Sequence, residues 1–286
     1  MESVTLRSGH FMPLIGLGTY KILGTDVVPA IDAALKAGYR LFDTAKVYGN
    51  EKEIGEALRT LLPKHNLTRK DVFIITKLHP SVENCREVTQ KRVDESLELL
   101  HTDYIDLYLI HYPKPNESDN ENPKNPEYRL DAYKVLIENR NFGKIRSVGV
   151  SSYEIIHLKE IKENNLETPS VNQIELHPHF VRKELVNYCQ DDGIFVQAFS
   201  SLARHNEALM NNEHVVAIGE KYNVPVTTVL LSWAVSQQIG IIPKSTKLER
   251  LEQNRNLVIL KDTEISKISE LDIGQHYVRT TGWLVK

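Results

Sequence analysis

Residues 72–111 read VFIITKLHPSVENCREVTQKRVDESLELLHTDYIDLYLIH. The stretch begins and ends on runs rich in β-branched and apolar residues, VFIITK (72–77) and IDLYLIH (105–111), and neither run alternates apolar with polar. A strand patterned this way has both faces covered, as strands do inside a parallel sheet. Parallel neighbours cannot be joined by a hairpin, so the periodic segment 86–100 between the runs predicts a crossover helix. Outward from this unit the pattern recurs. LIGLG (14–18), YRLFD (39–43), IRSVGV (145–150), VNQI (171–174), IFVQAF (194–199) and IGII (239–242) bring the strand candidates to eight. Segments 27–37, 51–62, 130–141, 154–164, 181–191, 213–222 and 225–237 supply the helices. Gly38 and Gly193 stand where C-caps are wanted, and Pro225 suits a first helical turn. Strands and helices alternating in this number over about 250 residues predict an α/β fold, the (β/α)₈ TIM barrel. A doubly wound open sheet shares the count. Its best support would be GLGTYK (16–21), which lacks the third glycine of the dinucleotide G-x-G-x-x-G pattern. Ahead of the first barrel strand, VTLRSGHFM (4–12) predicts a hairpin turning at Ser8-Gly9 that plugs one barrel end.

Composition narrows the function. The chain of 286 residues is 41% apolar and 26% charged, enough for one large core. Its 35 Lys and Arg against 38 Asp and Glu leave a formal charge of -3, which offers no footprint for a phosphate backbone. Cys85 and Cys189 are too few for a disulfide framework and lack metal-ligand spacing, which suits a reducing compartment. MESVTLRSGHFMPLIGLG (1–18) does not read as a leader, and no run approaches about 18 apolar residues. These features predict a cytoplasmic single domain over 1–286 that binds neither nucleic acid nor membrane. Two irregular segments, KPNESDNENPKNPEYR (114–129) and DIGQHYVRTTGWLVK (272–286), the latter with Tyr277 and Trp283, are expected as active-site loops.

In such a barrel the chemistry belongs at the C-terminal ends of the strands. YRLFD ends in Asp43, VFIITK in Lys77 and IDLYLIH in His111, with Tyr48 five residues beyond Asp43. Each has an ordinary structural explanation when taken singly; together they aim four proton-handling or charged groups at one rim. An ammonium beside a phenol stabilises the phenolate, Asp43 can pair with and orient Lys77, and His111 can donate to a substrate oxygen. That set suits a polarised carbonyl with a general acid beside it. The later strands end differently. Ser151, Ser152, Asn172, Gln173 and Ser200 bring hydroxyls and amides suited to a carboxamide, and Phe199 could stack on a flat ring. Lys244, Ser245 and Arg250 gather two cations and a hydroxyl at a helix start, suited to a phosphate monoester.

At these residues the sequence resembles the aldo-keto reductase superfamily. The matching strings are GLGTYK (16–21), FDTAKVYGNE (42–51), TKLHP (76–80), DYIDLYLIHYP (103–113), GKIRSVGVSS (143–152), NQIELHP (172–178) and IPKSTKLER (242–250). The resemblance implies a barrel that binds extended NADPH without a Rossmann domain. It implies a catalytic tetrad of Asp43, Tyr48, Lys77 and His111, with Tyr48 as proton donor. Ser151, Ser152 and Gln173 match carboxamide contacts, Phe199 the ring-stacking position, and Gly18, Thr19, Tyr20, Asp43, Ser200 and Leu202 further cofactor positions. Lys244, Ser245 and Arg250 match the 2′-phosphate group and Asn254 an adenine contact, which favours NADPH over NADH. Tyr20, Tyr48, His79, His111 and Tyr112 match the substrate pocket. Ser152, Phe199 and Gln253 replace the family's common Asn, Tyr and Glu, while Tyr20, His79 and Tyr112 stand where aldose-reducing members carry tryptophans. The implied activity is reduction of aldehydes and some ketones by a monomer. A cofactor-binding sensing subunit of low turnover is the alternative from another class. Two weaker readings are a barrel aldolase with Lys77 as Schiff-base nucleophile, and a metal site at His177-Pro178-His179.

Overall fold

The computed structural model describes residues 3–278 and 284–286. The chain opens with an antiparallel hairpin, β1 (Ser3–Thr5) and β2 (Phe11–Pro13). Gly9, at φ +83°, makes the turn and donates its N–H to the Leu6 carbonyl at 2.8 Å. Eight strands then follow in one parallel sheet whose spatial order is their sequence order: β3 (Leu17–Gly18), β4 (Leu41–Asp43), β5 (Phe73–Leu78), β6 (Ile105–Ile110), β7 (Ile145–Ser151), β8 (Val171–Glu175), β9 (Phe195–Phe199) and β10 (Gly240–Ile241). Between and after them lie α1 (Val27–Lys36), α2 (Glu51–Lys64), α3 (Cys85–Leu99), α4 (Asn125–Asn141), α5 (Ile155–Glu163), α6 (Lys183–Asp191), α7 (Glu207–Met210), α8 (Glu213–Tyr222), α9 (Val226–Ser236), α10 (Leu248–Arg255) and α11 (Asp262–Ser269).

The sheet closes on itself, which makes it a (β/α)₈ barrel. Gly16 donates to the Ile241 carbonyl and Ile241 to that of Leu14, both at 2.8 Å, and Gly18 reaches Pro243 at 3.2 Å. At this seam a side chain is sterically excluded. A Cβ on Gly18 would lie 2.5 Å from the Ile242 carbonyl oxygen.

Both strand faces are apolar because both are covered. Ile74, Tyr108, Val148, Ile174 and Val196 face outward into the helix-packed core, whereas Leu41, Phe73, Ile75, Leu107, Leu109 and Val171 fill the interior. The hairpin buries Leu6 and Met12 against that interior set, and Ser8 Oγ lies 2.7 Å from Ser147 Oγ. Phe73 and Val171 begin their strands, so the plug sits at the N-terminal end of the barrel and leaves the opposite mouth free.

All eight expected strands form, and the helices differ at their ends. α4 starts at Asn125, five residues before the expected position, because Pro126 occupies its first turn, where the missing N–H costs nothing. The irregular segment after β6 therefore stops at Lys124. Pro225 lies just outside α9 as its extended N-cap, at ψ 151°, instead of inside the first turn. Gly38 and Gly193 do terminate α1 and α6 in the left-handed region, at φ +85° and +68°. No helix among the described residues is long and apolar enough to cross a membrane.

Candidate active site

The C-terminal ends of β4 and β5 bring an ion pair together in the mouth. Lys77, with no exposed surface, donates all three ammonium protons: to Asp43 Oδ1 at 2.7 Å, to the Thr44 carbonyl at 2.9 Å and to Tyr48 Oη at 3.4 Å. An ammonium has no lone pair to offer, so in the Lys77–Tyr48 contact the phenol oxygen must accept. The Tyr48 proton is thereby left for another acceptor. A 3₁₀ turn at Lys46–Tyr48 presents the phenol, and Gly49 at φ +67° reverses the chain into α2. Buried Asn50 ties this turn to the loop after β3. Its Oδ1 accepts from Thr44 Oγ1 at 2.7 Å, and its Nδ2 donates to the carbonyls of Thr19 at 3.0 Å and Ile22 at 2.9 Å.

Burial and charge compete at each of these groups. Burial is the largest effect and opposes the Lys77 charge, but Asp43 and Tyr48 together overcome it and hold the lysine above its ordinary value. Burial drives Asp43 up against the pull of Lys77. For Tyr48 burial is again the largest effect and lifts the phenol above its usual value, with the Lys77 ammonium pulling it back. The expected stabilisation of the phenolate is present, yet desolvation exceeds it. Tyr48 is accordingly protonated at neutral pH, the state a proton donor must occupy.

Aromatic rings surround the phenol. Tyr20, 52% exposed, packs at 5.1 Å between ring centroids, and His111 meets Tyr48 edge-on at 5.7 Å. His79 stacks on His111 at 4.6 Å, its carbonyl accepting from Arg92 Nη1 at 2.6 Å, and Tyr112 is buried nearby in sequence.

Across the barrel, Ser151 ends β7, and Ser152 follows at φ +60° with its N–H on the Gln173 carbonyl at 2.9 Å. Gln173 Nε2 donates both protons inside the barrel, to Asp43 Oδ2 at 2.7 Å and to Gln197 Oε1 at 2.8 Å. Phe199, Ser200 and Leu202 are half-buried where β9 runs into its loop. Gly18 and Thr19 serve the barrel itself: Gly18 lies in the seam, and the Thr19 hydroxyl donates to the Asp43 carbonyl at 2.8 Å. Lys244 and Arg250 flank the start of α10, both exposed, and neither enters an ion pair among the described residues. Ser245 Oγ accepts from Lys247 N at 3.1 Å, and Asn254 is buried on α10. Two cations without an ion pair among the described residues and a hydroxyl beside helix amides match the oxygens of a phosphate monoester, and the Gln173 amide, whose NH₂ is engaged, has its oxygen to offer a carboxamide NH₂. The donor set thus fits a nicotinamide dinucleotide phosphate.

The irregular tail docks beside this mouth. Glu175, at the end of β8, accepts from the amides of Tyr277 at 2.6 Å and Val278 at 3.2 Å and from His177 Nε2 at 3.2 Å. Burial opposes its charge, but these bonds prevail and hold the carboxylate below its usual value. His179 Nδ1 lies 2.8 Å from Tyr277 Oη. The His177-Pro178-His179 turn therefore serves tail docking, and the described residues hold no cluster of three metal-ligating groups. Beyond, buried Val285 accepts from His157 Nε2 at 2.9 Å, and Lys286 donates to the Asn120 carbonyl at 3.0 Å, joining the tail to the segment after β6. Trp283 lies outside the described residues. Asn50, Glu175 and Gln197 are among the polar groups of this end of the barrel that strand-end reasoning did not single out. Asn50 alone carried a local signal, as a turn residue directly before a helix.

The sequence model of the Aldo/keto reductase family matches residues 14–273. A glyoxal reductase of Bacillus subtilis is 34% identical over 274 residues, covering 95% of this chain and 93% of its own. A glycerol 2-dehydrogenase (NADP(+)) of Saccharomyces cerevisiae is 33% identical over 301 residues, covering 98% and 94%. Among solved structures, an aldo-keto reductase from a Medee basin deep-sea metagenome library superposes with a TM-score of 0.87 at 33% identity, covering 96% of each chain. The chain belongs to the aldo/keto reductase family, a family of nicotinamide-dependent oxidoreductases.

Proposed function

We propose that the protein is an NADPH-dependent reductase of aldehydes and some ketones in which Tyr48 is the general acid. The observation that carries this reading is the threefold donation by Lys77. With its protons directed to Asp43, Thr44 and the Tyr48 oxygen, the lysine holds the phenol in place and leaves the phenolic proton available. Bound NADPH would supply a hydride to the carbonyl carbon. Tyr48 would protonate the carbonyl oxygen, and the Lys77 ammonium would stabilise the phenolate so formed. His111, edge-on to Tyr48, would donate to that same oxygen and polarise the carbonyl. Asp43 keeps Lys77 charged and oriented.

On the cofactor side, Ser151, Ser152 and Gln173 would take the carboxamide and Phe199 the ring, with Lys244, Ser245 and Arg250 on the 2′-phosphate and Asn254 on the adenine. Tyr20, His79 and Tyr112 would line the substrate side. The names of similar proteins, a glyoxal reductase and an NADP(+)-dependent glycerol dehydrogenase, support a small carbonyl as substrate.

Tyr48→Phe is the direct test. Removal of one general acid should lower kcat by about 10²–10⁴-fold. The dissociation constant for NADPH, measured by titrating cofactor fluorescence, should stay within about twofold. A folded, cofactor-binding Tyr48→Phe protein with undiminished aldehyde reduction would refute the assignment. Strong NADPH binding with no turnover on any of a broad panel of carbonyls would favour a sensing subunit instead. Lys244→Ala and Arg250→Ala should weaken NADPH about tenfold each, the scale of a charge-assisted contact, and leave NADH unchanged.

A further inference from the structure

Gln197 projects from β9 on the same side as Phe195 and Phe199, which pack against the inner cluster, so its amide lies within the barrel. It is fully buried. Its Oε1 accepts from Gln173, and its Nε2 has no hydrogen-bond partner. A buried unsatisfied donor is destabilising, and a methionine of similar shape would avoid that donor altogether. The amide therefore requires an explanation that core packing does not provide.

The explanation lies in the direction of the bonds. Lys77 can only donate, so Asp43 must accept. An ionised Asp43 can only accept, so Gln173 must turn its NH₂ toward it. The remaining proton of that NH₂ needs an acceptor, and Gln197 Oε1 provides one at 2.8 Å. Reversing either amide would set NH₂ against NH₂ or carbonyl oxygen against carboxylate. The order Lys77, Asp43, Gln173, Gln197 is thus polarised from one end, and the orphaned Nε2 is where it terminates.

We propose that Gln197 is a positioning residue that locks the Gln173 amide, so that Gln173 can offer a bound cofactor only an accepting oxygen. The inference rests on the reading of Gln173 as a nicotinamide contact. Its chemical content is selectivity: the group recognised must be a donor, which the carboxamide NH₂ of nicotinamide is and the methyl ketone of the acetylpyridine analogue is not.

The experiment compares dissociation constants for NADPH and for the reduced acetylpyridine analogue of NADPH, by calorimetric titration without substrate. The parent protein should prefer NADPH by about tenfold or more, as sites built around a hydrogen bond do. Gln197→Met leaves the Gln173 amide held by Asp43 alone, its second proton without an acceptor and able to swing toward the cofactor, so the preference should fall to about twofold. Gln197→Glu keeps an accepting oxygen in place and should restore it. A merely structural contribution would move the melting temperature and leave the ratio intact. An unchanged ratio in Gln197→Met overturns the inference while leaving the functional reading standing. Failure of the parent to bind either nucleotide overturns both. Should Gln197→Met not fold, a Gln197→Glu protein whose ratio falls like that of Gln173→Leu refutes the inference equally.

Discussion

Replacing Asp43 by asparagine separates the electrostatics of the mouth from its chemistry. In the parent, Lys77 has no exposed side-chain surface, Asp43 only 2%, and their charged atoms lie 2.7 Å apart. Asp43→Asn keeps the shape and one accepting oxygen but leaves the ammonium without a countercharge in a buried site. Breaking a buried pair from one side costs about 3–5 kcal/mol, and the retained hydrogen bond points to the lower end, about 3 kcal/mol. The exposed pair of Arg86 and Glu138 provides the contrast. It is shorter, at 2.5 Å, yet both side chains are nearly half exposed, and such pairs contribute about 0–1 kcal/mol. Distance therefore does not rank these bridges, whereas desolvation does. With a urea slope of about 3 kcal/mol/M, Asp43→Asn should lower the unfolding midpoint by about 1 M, and Arg86→Gln by less than about 0.3 M. The double variant Asp43→Asn/Lys77→Met, which removes both charges, should recover most of the loss. Equal small shifts for the buried and the exposed pair would refute the reasoning, as would a double variant no more stable than Asp43→Asn.

The tail anchor and the barrel seam give two further expectations. His157 is held down to about 4, first by burial and then by the Arg129 guanidinium, against an ordinary 6.5. The unfolded chain binds the proton near pH 6.5 and the folded one only near pH 4. This contribution to stability is therefore complete above pH 6.5 and is lost as pH falls toward 4, at most about 3 kcal/mol. In His157→Gln, urea midpoints measured at pH 7 and pH 4.5 should differ less than in the parent; an equal or larger difference would count against the assignment. Gly18→Ala would drive a methyl into the Ile242 carbonyl at 2.5 Å, with backbone on both sides of the contact. Overpacking of about 1–3 kcal/mol should lower the melting temperature by about 5 °C, and an unchanged value would show that the seam can relax.

The barrel was legible because burial on both faces leaves strands with a near-continuous apolar signature. Runs such as IDLYLIH carry it without reference to partners far away in sequence. Ends were less legible. Asn125-Pro126 reads locally as a breaker, and only the helix that forms around it makes it a start. The short α7, α10 and α11, of four, eight and eight residues, span too few turns for an apolar period to stand out. At the mouth, strand-end position was enough to bring out Asp43, Lys77 and His111, since a charged residue closing an apolar run is conspicuous. Asn50 and Gln197 were not, because their meaning lies in partners distant in sequence: Thr19 and Ile22 in the loop after β3 for one, Gln173 on β8 for the other. The direction of the Tyr48 shift was also hidden. Residue type predicts an ammonium nearby, but the balance between that charge and desolvation depends on how completely the mouth buries the phenol.

The join between the first and last barrel strands has a bearing on biosynthesis. Ile15 and Ile241 are more than two hundred residues apart, so their pairing waits until nearly the whole chain has left the ribosome. At about 5–20 residues per second, that is on the order of ten seconds or more. During that interval β3 has one unpaired edge, and the hairpin has a half-built interior to cover. β3 is only two residues long, and the glycines at 16 and 18 leave Leu17 as the single side chain between them, a short template for a neighbouring nascent chain. A seam that forms last is safest where it has least to offer a stranger, and these two residues meet that condition while also allowing the backbones to close.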